Sequence, residues 1–136
     1  MFPLGPVFNR CEIKNLKKGL DELLKLLNKD ESPREIREWH EESRFLYEIC
    51  MNNIILNCVQ KIIGNNFYIW GSNFFIKLPK SKNEIAFHQD AFYWPMKPRK
   101  TITVWLAIDD VDENNGAMLA LPCSHKYLLK HERTKI

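Results

Sequence analysis

The sequence lacks several features that would assign it to a specialised class of protein. It contains no apolar run of the roughly 20 residues that cross a membrane. Its first residues, Met1–Pro6, have no basic region followed by an apolar stretch, so they do not resemble a secretion signal. No internal repeat or low-complexity segment is present. We therefore expect neither a membrane-spanning protein nor a repeat array.

Cysteine spacing and charge argue against two further classes, a disulfide- or metal-bound cysteine framework and a nucleic-acid-binding protein. The four cysteines have neither metal-type nor disulfide-framework spacing, which predicts reduced thiols in a cytoplasmic protein. The net charge is only +3 and the basic residues are spread along the chain, so no nucleic-acid surface is expected. A local basic group at 97–100 is interpreted as the solvated edge of a loop, with a site for an anionic substrate as the alternative.

The 136 residues, 45% of them apolar, suit one domain whose front part is helical. Asn15 is predicted to cap a first helix. Ser32–Glu35 predicts the start of a second helix, because the side chains of Ser32 and Glu35 can each accept a hydrogen bond from the other's free backbone N–H. A further apolar pattern with one break ends at Gly64, a residue typical of helix C-termini. The apolar positions on these helices are Leu16, Leu20, Leu23, Leu24, Leu27, Phe45, Leu46, Ile49, Ile54, Ile55, Cys58, Val59, Ile62 and Ile63.

The pattern after Gly64 changes to short segments rich in β-branched and aromatic residues. Asp112–Gly116 has the composition of a turn. The predicted strands are 67–78, 85–92, 101–108 and 117–121. Helices first and antiparallel strands afterwards predict an α+β fold, with N-terminal helices packed on a double-sheet jelly roll. We expect one domain, helical over 1–65 and strand-rich over 66–136.

His88 and Asp90 are the candidate metal ligands. In a strand, residues i and i+2 point to the same face, so one nitrogen and one oxygen ligand would project together. These are two of the three ligands in the 2-His-1-carboxylate triad of non-haem Fe(II) oxygenases, which leaves positions open for other ligands. A His-x-Asp pair arises by chance in roughly one such sequence in five, so the motif needs its context.

That context is a series of blocks in a fixed order. The metal segment 87–95 reads Phe-His-Gln-Asp-Ala-Phe-Tyr-Trp-Pro, and the strand 103–109 reads Thr-Val-Trp-Leu-Ala-Ile-Asp. A Glu-Asn-Asn-Gly turn follows at 113–116, and Leu-Pro-Cys-Ser-His-Lys stands at 121–126. Upstream, 75–79 reads Phe-Ile-Lys-Leu-Pro. Together they resemble the phytanoyl-CoA dioxygenase family, closely over residues 67–127 and more loosely before them.

The resemblance implies roles for individual residues. His88 and Asp90 match the iron ligands of the family. Trp105 and Asn73 fall where family members line the 2-oxoglutarate pocket, although a buried core tryptophan is about as good an interpretation of Trp105. The residues flanking the metal motif that would touch cosubstrate or substrate are Tyr93 and Gln89. For Ser124 and His125 a structural or outer-shell role is expected.

The resemblance also implies an Fe(II)- and 2-oxoglutarate-dependent hydroxylase that acts on a small molecule. Related halogenases replace the carboxylate ligand with a small residue, which opens a site for halide. Asp90 is present in this chain, so oxygen insertion is the expected chemistry. The sequence does not specify the substrate, which varies within the family from acyl-CoA thioesters to natural products.

The sequence departs from the family at two places. Cys123 stands where the family usually has glycine, which would cost about 1 kcal/mol if that position needs a positive φ. The family takes its third iron ligand, a histidine, and the arginine that pairs with 2-oxoglutarate from strands beyond 121–126. His125 and His131 come too early to match that histidine, and His131 is placed in a solvated polar tail. We therefore expect a truncated product, or a fragment of a longer or split protein, with a jelly roll incomplete at the C-terminus.

Three functional hypotheses follow. The first is the iron-dependent hydroxylase. The second is a catalytically inactive remnant or binding module of the same fold, with a missing C-terminal segment or self-association covering its exposed strand edges. The third is a Cys-His hydrolase using Cys123 and His125, which has little support because an i,i+2 pair at a strand end is poor nucleophile–base geometry.

Overall fold

The computed structural model describes residues 3–28, 30, 36–77, 80, 85–94 and 96–131. Four helical segments are named here α1 (Arg10–Leu24), α2 (Arg44–Cys50), α3 (Asn53–Ile63) and the single turn α4 (Asp90–Tyr93), followed by a 3₁₀ turn at Ser124–Lys126. The predicted helix start at Ser32–Glu35 lies outside the described residues. No helix within the described ranges is long and apolar enough to cross a membrane.

Helix α1 begins six residues earlier than the sequence patterns predicted. Asn9, not Asn15, is the N-cap, and its side chain accepts from the backbone N–H groups of Cys11 and Glu12 at 2.9 and 3.0 Å. The Glu12 carboxylate reaches back to the N–H of Asn9 at 2.7 Å, which completes a capping box. The prediction for Asn15 was wrong because two asparagines precede the same leucine face and only Asn9 has a glutamate three residues later. The expected face does form, with Leu16 and Leu23 buried.

The predicted break and end of the later helices are confirmed. Ser43 caps α2 through a bond from the N–H of Leu46 to its hydroxyl at 3.4 Å. Asn52 separates α2 from α3 and caps α3, accepting from the N–H of Ile54 at 2.9 Å. Gly64 ends α3 with a φ of +93°, a backbone region that suits glycine.

A small apolar core holds the front helices together. Three side chains are buried against one another: Leu23 of α1, Leu46 of α2, and Ile36, which precedes α2. Burying a side chain of this kind contributes about 1.5–3 kcal/mol to stability. Close approach at Gly19 brings α1 against α2, since a Cβ there would collide with the ring of Phe45. Partly buried side chains complete this core: Leu20, Leu24, Leu27, Trp39, Phe45, Ile49 and Phe74.

The cysteines behave as the sequence indicates. All four are free thiols, and Cys50 and Cys58 are half-buried on α2 and α3. Burial raises the pKa of the Cys50 thiol above its usual value, which keeps it protonated at neutral pH.

The predicted strands do not form a sheet among the described residues. The chain there contains a single antiparallel bridge, between Arg37 and Asn73, supported by a bond from the Glu38 N–H to the Ser72 carbonyl at 2.7 Å. Exposure alternates along 72–77 as in a strand with one covered face, so the period-two pattern is present without a ladder of hydrogen bonds. The jelly roll is therefore not confirmed by this structure.

The expectation of a strand over 85–92 was wrong at its end. Asp90–Tyr93 is a helical turn, closed by bonds from the Phe92 N–H to the Gln89 carbonyl at 2.9 Å and from the Trp94 N–H to the Asp90 carbonyl at 3.2 Å. The backbone groups are satisfied within the turn rather than across a sheet.

The predicted turn at Asp112–Gly116 is present. The Asp112 carboxylate accepts from the backbone N–H groups of Asn114 and Asn115 at 2.7 and 3.2 Å. The Asn115 side chain donates to the carbonyl of Asp110 at 2.8 Å. Gly116 has a φ of +109° and lies under the side chain of Lys77, so both its conformation and the space beside it favour glycine.

Candidate metal centre

His88 and Asp90 flank Gln89, whose backbone is extended with φ −119° and ψ 120°. Side chains at i and i+2 leave extended backbone on the same side. The Nε2 atom of His88 accordingly lies 3.4 Å from Oδ1 of Asp90. Both side chains are over a third exposed, at 37% and 42%, so the pair opens to solvent. The structure therefore brings the two predicted ligands together.

The second ring nitrogen of His88 is already engaged. Its Nδ1 atom lies 2.8 Å from the backbone carbonyl oxygen of Ala86. Because a carbonyl can only accept, Nδ1 carries a proton, which leaves Nε2 as the ring nitrogen that could bind a metal ion. A backbone partner that fixes the tautomer in this way is typical of metal-binding histidines.

The carboxylate of Asp90 is held from the opposite side. Its Oδ2 atom accepts a hydrogen bond of 3.0 Å from the hydroxyl of Thr103, thirteen residues further along the chain. Oδ1 is therefore the carboxylate oxygen directed at His88. One oxygen is occupied by the protein and the other faces the free imidazole nitrogen.

A metal ion fits between these two atoms. Metal–nitrogen and metal–oxygen bonds of about 2.0–2.2 Å at right angles would place the two ligand atoms roughly 3 Å apart. The separation of 3.4 Å needs only a small side-chain movement to match. Among the residues that the structure describes, no group of three or more His, Cys, Asp or Glu side chains is placed to hold a metal ion.

The carboxamide of Gln89 is used for contacts within the protein. Its nitrogen donates to the backbone carbonyls of Ser124 and Tyr127 at 2.7 and 2.8 Å, and its oxygen accepts from the N–H of Leu129 at 2.8 Å. Gln89 thus ties the metal motif to the segment 124–129, here called the clamp segment. Its predicted contact with cosubstrate or substrate stays a prediction.

His131 is a neighbour of the site that sequence reasoning missed. Its Nε2 atom accepts from the backbone N–H of Gln89 at 2.8 Å, and its Nδ1 lies 2.9 Å from the carbonyl of Leu129. The ring stacks on Phe92 with centroids 4.2 Å apart. The expectation that His131 lies in a solvated tail was therefore wrong. No sequence signal marks this contact, because it spans 42 residues.

Tyr93 lies beside the pair, as its position in the motif predicted. Its ring meets the ring of His88 edge-on at 6.1 Å and the ring of His131 at 5.8 Å. At 63% exposure, much of the ring faces solvent. Tyr93 can therefore cover one side of the imidazole and still reach a bound molecule.

The structure places the other predicted residues less closely. Trp105 lies two positions beyond Thr103 and is 40% exposed, which does not support a buried core role. Asn73 pairs with Arg37 in the bridge near the helical part. Ser124 contributes its backbone carbonyl to the Gln89 carboxamide, and its expected role stays a prediction. Whether Trp105 and Asn73 bind cosubstrate stays a prediction.

A cavity among the described residues lies away from this site. It has a volume of about 550 Å³ and is lined by residues of the helical part and the segment after it, including Tyr47, Met51 and Phe67. The buried His40 on its wall lies 2.8 Å from the hydroxyl of Ser72 through Nδ1. None of the predicted ligands lines this cavity, so the candidate metal ligands lie outside it.

An imidazole nitrogen and a carboxylate oxygen that converge in this way are part of the ligand set of non-haem iron oxygenases. Residues 10–136 match the family model "Phytanoyl-CoA dioxygenase (PhyH)". The chain therefore belongs to the phytanoyl-CoA dioxygenase family, a family of 2-oxoglutarate-dependent dioxygenases with a cupin-like fold. The recognition made from ordered sequence blocks is confirmed.

Individual relatives agree with this assignment. The chain is 30% identical over 105 residues to the peroxisomal phytanoyl-CoA dioxygenase of Mus musculus, covering 74% of this chain and 31% of the relative. It is 31% identical over 94 residues to the Homo sapiens protein, covering 66% and 28%. Identity to a probable alpha-ketoglutarate-dependent hypophosphite dioxygenase of Stutzerimonas stutzeri is 28% over 115 residues, covering 85% and 38%. The chain thus spans about a third of the length of these relatives, and no solved structure matches it significantly.

Proposed function

We propose that this chain supplies His88 and Asp90 as iron ligands to a 2-oxoglutarate-dependent dioxygenase that hydroxylates a small molecule. The observation that carries the proposal is the 3.4 Å approach of a free imidazole nitrogen to a carboxylate oxygen. Membership of the family supports the same chemistry. The activity of the whole protein is part of the proposal, since the chain spans about a third of its relatives.

Several described residues would have separate roles in such a site. Bound Fe(II) would supply the activation of O₂, coupled to oxidative decarboxylation of 2-oxoglutarate. His88 would donate the lone pair of Nε2, and Asp90 would offset part of the charge of the ion. The carbonyl of Ala86 and the hydroxyl of Thr103 orient these two ligands. The ring of Tyr93 lies edge-on to the imidazole of His88 and would border a bound molecule.

The test is an anaerobic Fe(II) titration of the full chain and its variants. Asp90→Ala and His88→Ala each remove one ligand, so we expect each to abolish measurable iron binding. Asp110→Ala and His125→Ala are matched controls, because they remove an exposed carboxylate and an exposed imidazole outside the pair. Unchanged iron affinity in Asp90→Ala would refute the ligand assignment.

A second measurement separates an enzyme from a binding module. The iron-loaded chain is supplied with 2-oxoglutarate and O₂, and succinate is measured. Succinate formation that requires both His88 and Asp90 identifies an oxygenase. Iron binding without succinate identifies the alternative, an inactive module of the same fold.

The compartment belongs to the proposal as well. The cysteine content predicts a cytoplasmic protein, whereas the mammalian relatives are named as peroxisomal. We propose the cytoplasm, and a fluorescent fusion of the chain distinguishes diffuse signal from peroxisomal puncta.

A further inference from the structure

Thr103 contacts the proposed metal site without being a ligand. Its hydroxyl donates to Oδ2 of Asp90 at 3.0 Å, while Oδ1 faces Nε2 of His88 at 3.4 Å. An ionised carboxylate can only accept, so the direction of the bond is settled. The two carboxylate oxygens therefore have different environments before any ion binds.

This difference restricts how Asp90 can bind a metal. The terminal torsion of an aspartate is broad, so a free carboxylate can turn either oxygen towards an ion. Carboxylates bind metals through one oxygen or through both. A bond from Thr103 to Oδ2 opposes rotation and keeps that oxygen away from the ion. Asp90 then presents Oδ1 alone.

His88, the other proposed ligand, is also oriented by a hydrogen bond within the protein. The carbonyl of Ala86 fixes the ring of His88 through Nδ1. Partners of this kind typically change metal affinity by about 10–100-fold when they are removed. Ala86 acts through its backbone, which no substitution deletes, whereas the hydroxyl of Thr103 can be removed by a single change.

We propose that Thr103 is a positioning residue that makes Asp90 a one-oxygen metal ligand directed at the lone pair of His88. The inference rests on the proposed function, because it assumes that Asp90 binds the ion. It adds a residue outside the His-x-Asp motif, brought to the motif from thirteen residues away by the fold. It also explains how an exposed carboxylate keeps one orientation.

The probe is Co(II), whose visible spectrum reports the number and geometry of its ligands. Thr103→Val keeps the shape of the side chain and removes the hydroxyl, so we expect Co(II) affinity of the full chain to fall by about 10–100-fold. The spectrum of the bound ion should also change, because the carboxylate is free to bind through both oxygens. Thr103→Ser restores a donor, and it should restore both the affinity and the spectrum.

Control variants distinguish a loss of Asp90 positioning from a loss of the folded structure. Thr101→Val makes the same chemical change two residues away and should leave Co(II) binding at the wild-type level. Far-UV circular dichroism checks that each variant is folded. If Thr103→Val does not fold, Thr103→Ala removes the hydroxyl without adding a methyl group, and it takes the place of the valine variant.

The outcomes distinguish this inference from the proposed function. Wild-type chain that binds no Co(II) would overturn both. Loss of binding in Asp90→Ala with unchanged affinity and spectrum in Thr103→Val would overturn the role of Thr103 alone. A Thr103→Ser variant as weak as folded Thr103→Val would also overturn it, because the hydroxyl would then not be the cause.

Discussion

At the scale of single residues, Cys123 shows how a departure from the family pattern can be understood physically. Its φ of +62° lies in the left-handed region, so the condition under which the cysteine is strained is met. A side chain in that region costs about 1–2 kcal/mol relative to the right-handed form. Cys123 directly precedes the 3₁₀ turn Ser124–Lys126. The backbone carbonyl of Ser124 accepts a hydrogen bond from the Gln89 side chain. The strained residue is therefore adjacent to Ser124, which contacts Gln89 of the metal motif.

Replacing Cys123 with glycine should stabilise the chain. Relief of the strained backbone outweighs the extra freedom of glycine in the unfolded chain, so we expect the free energy of unfolding to rise by about 0.5–1 kcal/mol. Urea denaturation followed by tryptophan fluorescence measures the change. Cys123→Ala is the matched control, since it removes the thiol but keeps the Cβ, and it should not stabilise. A lower unfolding free energy in Cys123→Gly would contradict the strain argument.

The metal pair shows what local sequence can predict about a site. The i,i+2 spacing of His88 and Asp90 required only extended backbone at Gln89, and that is what the structure has. The partners Ala86 and Thr103 and the neighbour His131 could not be predicted. Their contacts depend on the tautomer of one ring and on residues brought from up to 42 positions away.

At the scale of elements, the clamp segment is joined to the metal motif by one side chain. Gln89 makes three hydrogen bonds from its carboxamide to the backbone of Ser124, Tyr127 and Leu129. The position of the clamp segment relative to His88 and Asp90 therefore depends on the side chain of Gln89.

Truncation of this side chain should loosen the clamp segment. In Gln89→Ala the N–H of Leu129 loses its acceptor, and a hydrogen bond of this kind is worth about 0.5–1.5 kcal/mol. We expect amide hydrogen exchange at Leu129 to accelerate roughly two- to tenfold.

Gln60→Ala is the comparison for that experiment, because it removes an exposed side-chain bond to Asn65 on a different element. It should leave exchange at Leu129 unchanged. Equal exchange rates at Leu129 in wild type and Gln89→Ala would show that the carboxamide does not hold the segment.

Helices were predicted from the sequence better than strands, for a physical reason. A helix satisfies its backbone within one segment, so the leucine face and the stop at Gly64 could be predicted from local pattern, whereas a break was expected without its position. The start of α1 was misplaced because two asparagines compete and the capping glutamate decides between them. A strand needs a partner from elsewhere in the chain, and local pattern does not supply one.

At the scale of the whole molecule, apolar surface is unevenly covered. Helices α1 and α2 share a buried core, whereas Tyr68, Phe75 and Phe87 of the part after α3 are 74%, 69% and 71% exposed. Large exposed apolar surface of this kind typically marks an interface. The predicted self-association of the chain stays a prediction, and the exposed aromatic residues indicate where it would occur.

The central claim concerns one ring nitrogen, and nuclear magnetic resonance can observe it directly. The chain contains four histidines, so its ¹⁵N-labelled imidazoles form a small set that single variants can assign. Before metal is added, we expect His88 to show a protonated Nδ1, as the bond to Ala86 requires. On titration with Mn(II), the ring signals of His88 should broaden before those of any other histidine, and Asp90→Ala should abolish that effect. Uniform broadening of all four rings, or an unchanged His88 at saturating Mn(II), would contradict the assignment of His88 and Asp90 as a metal site.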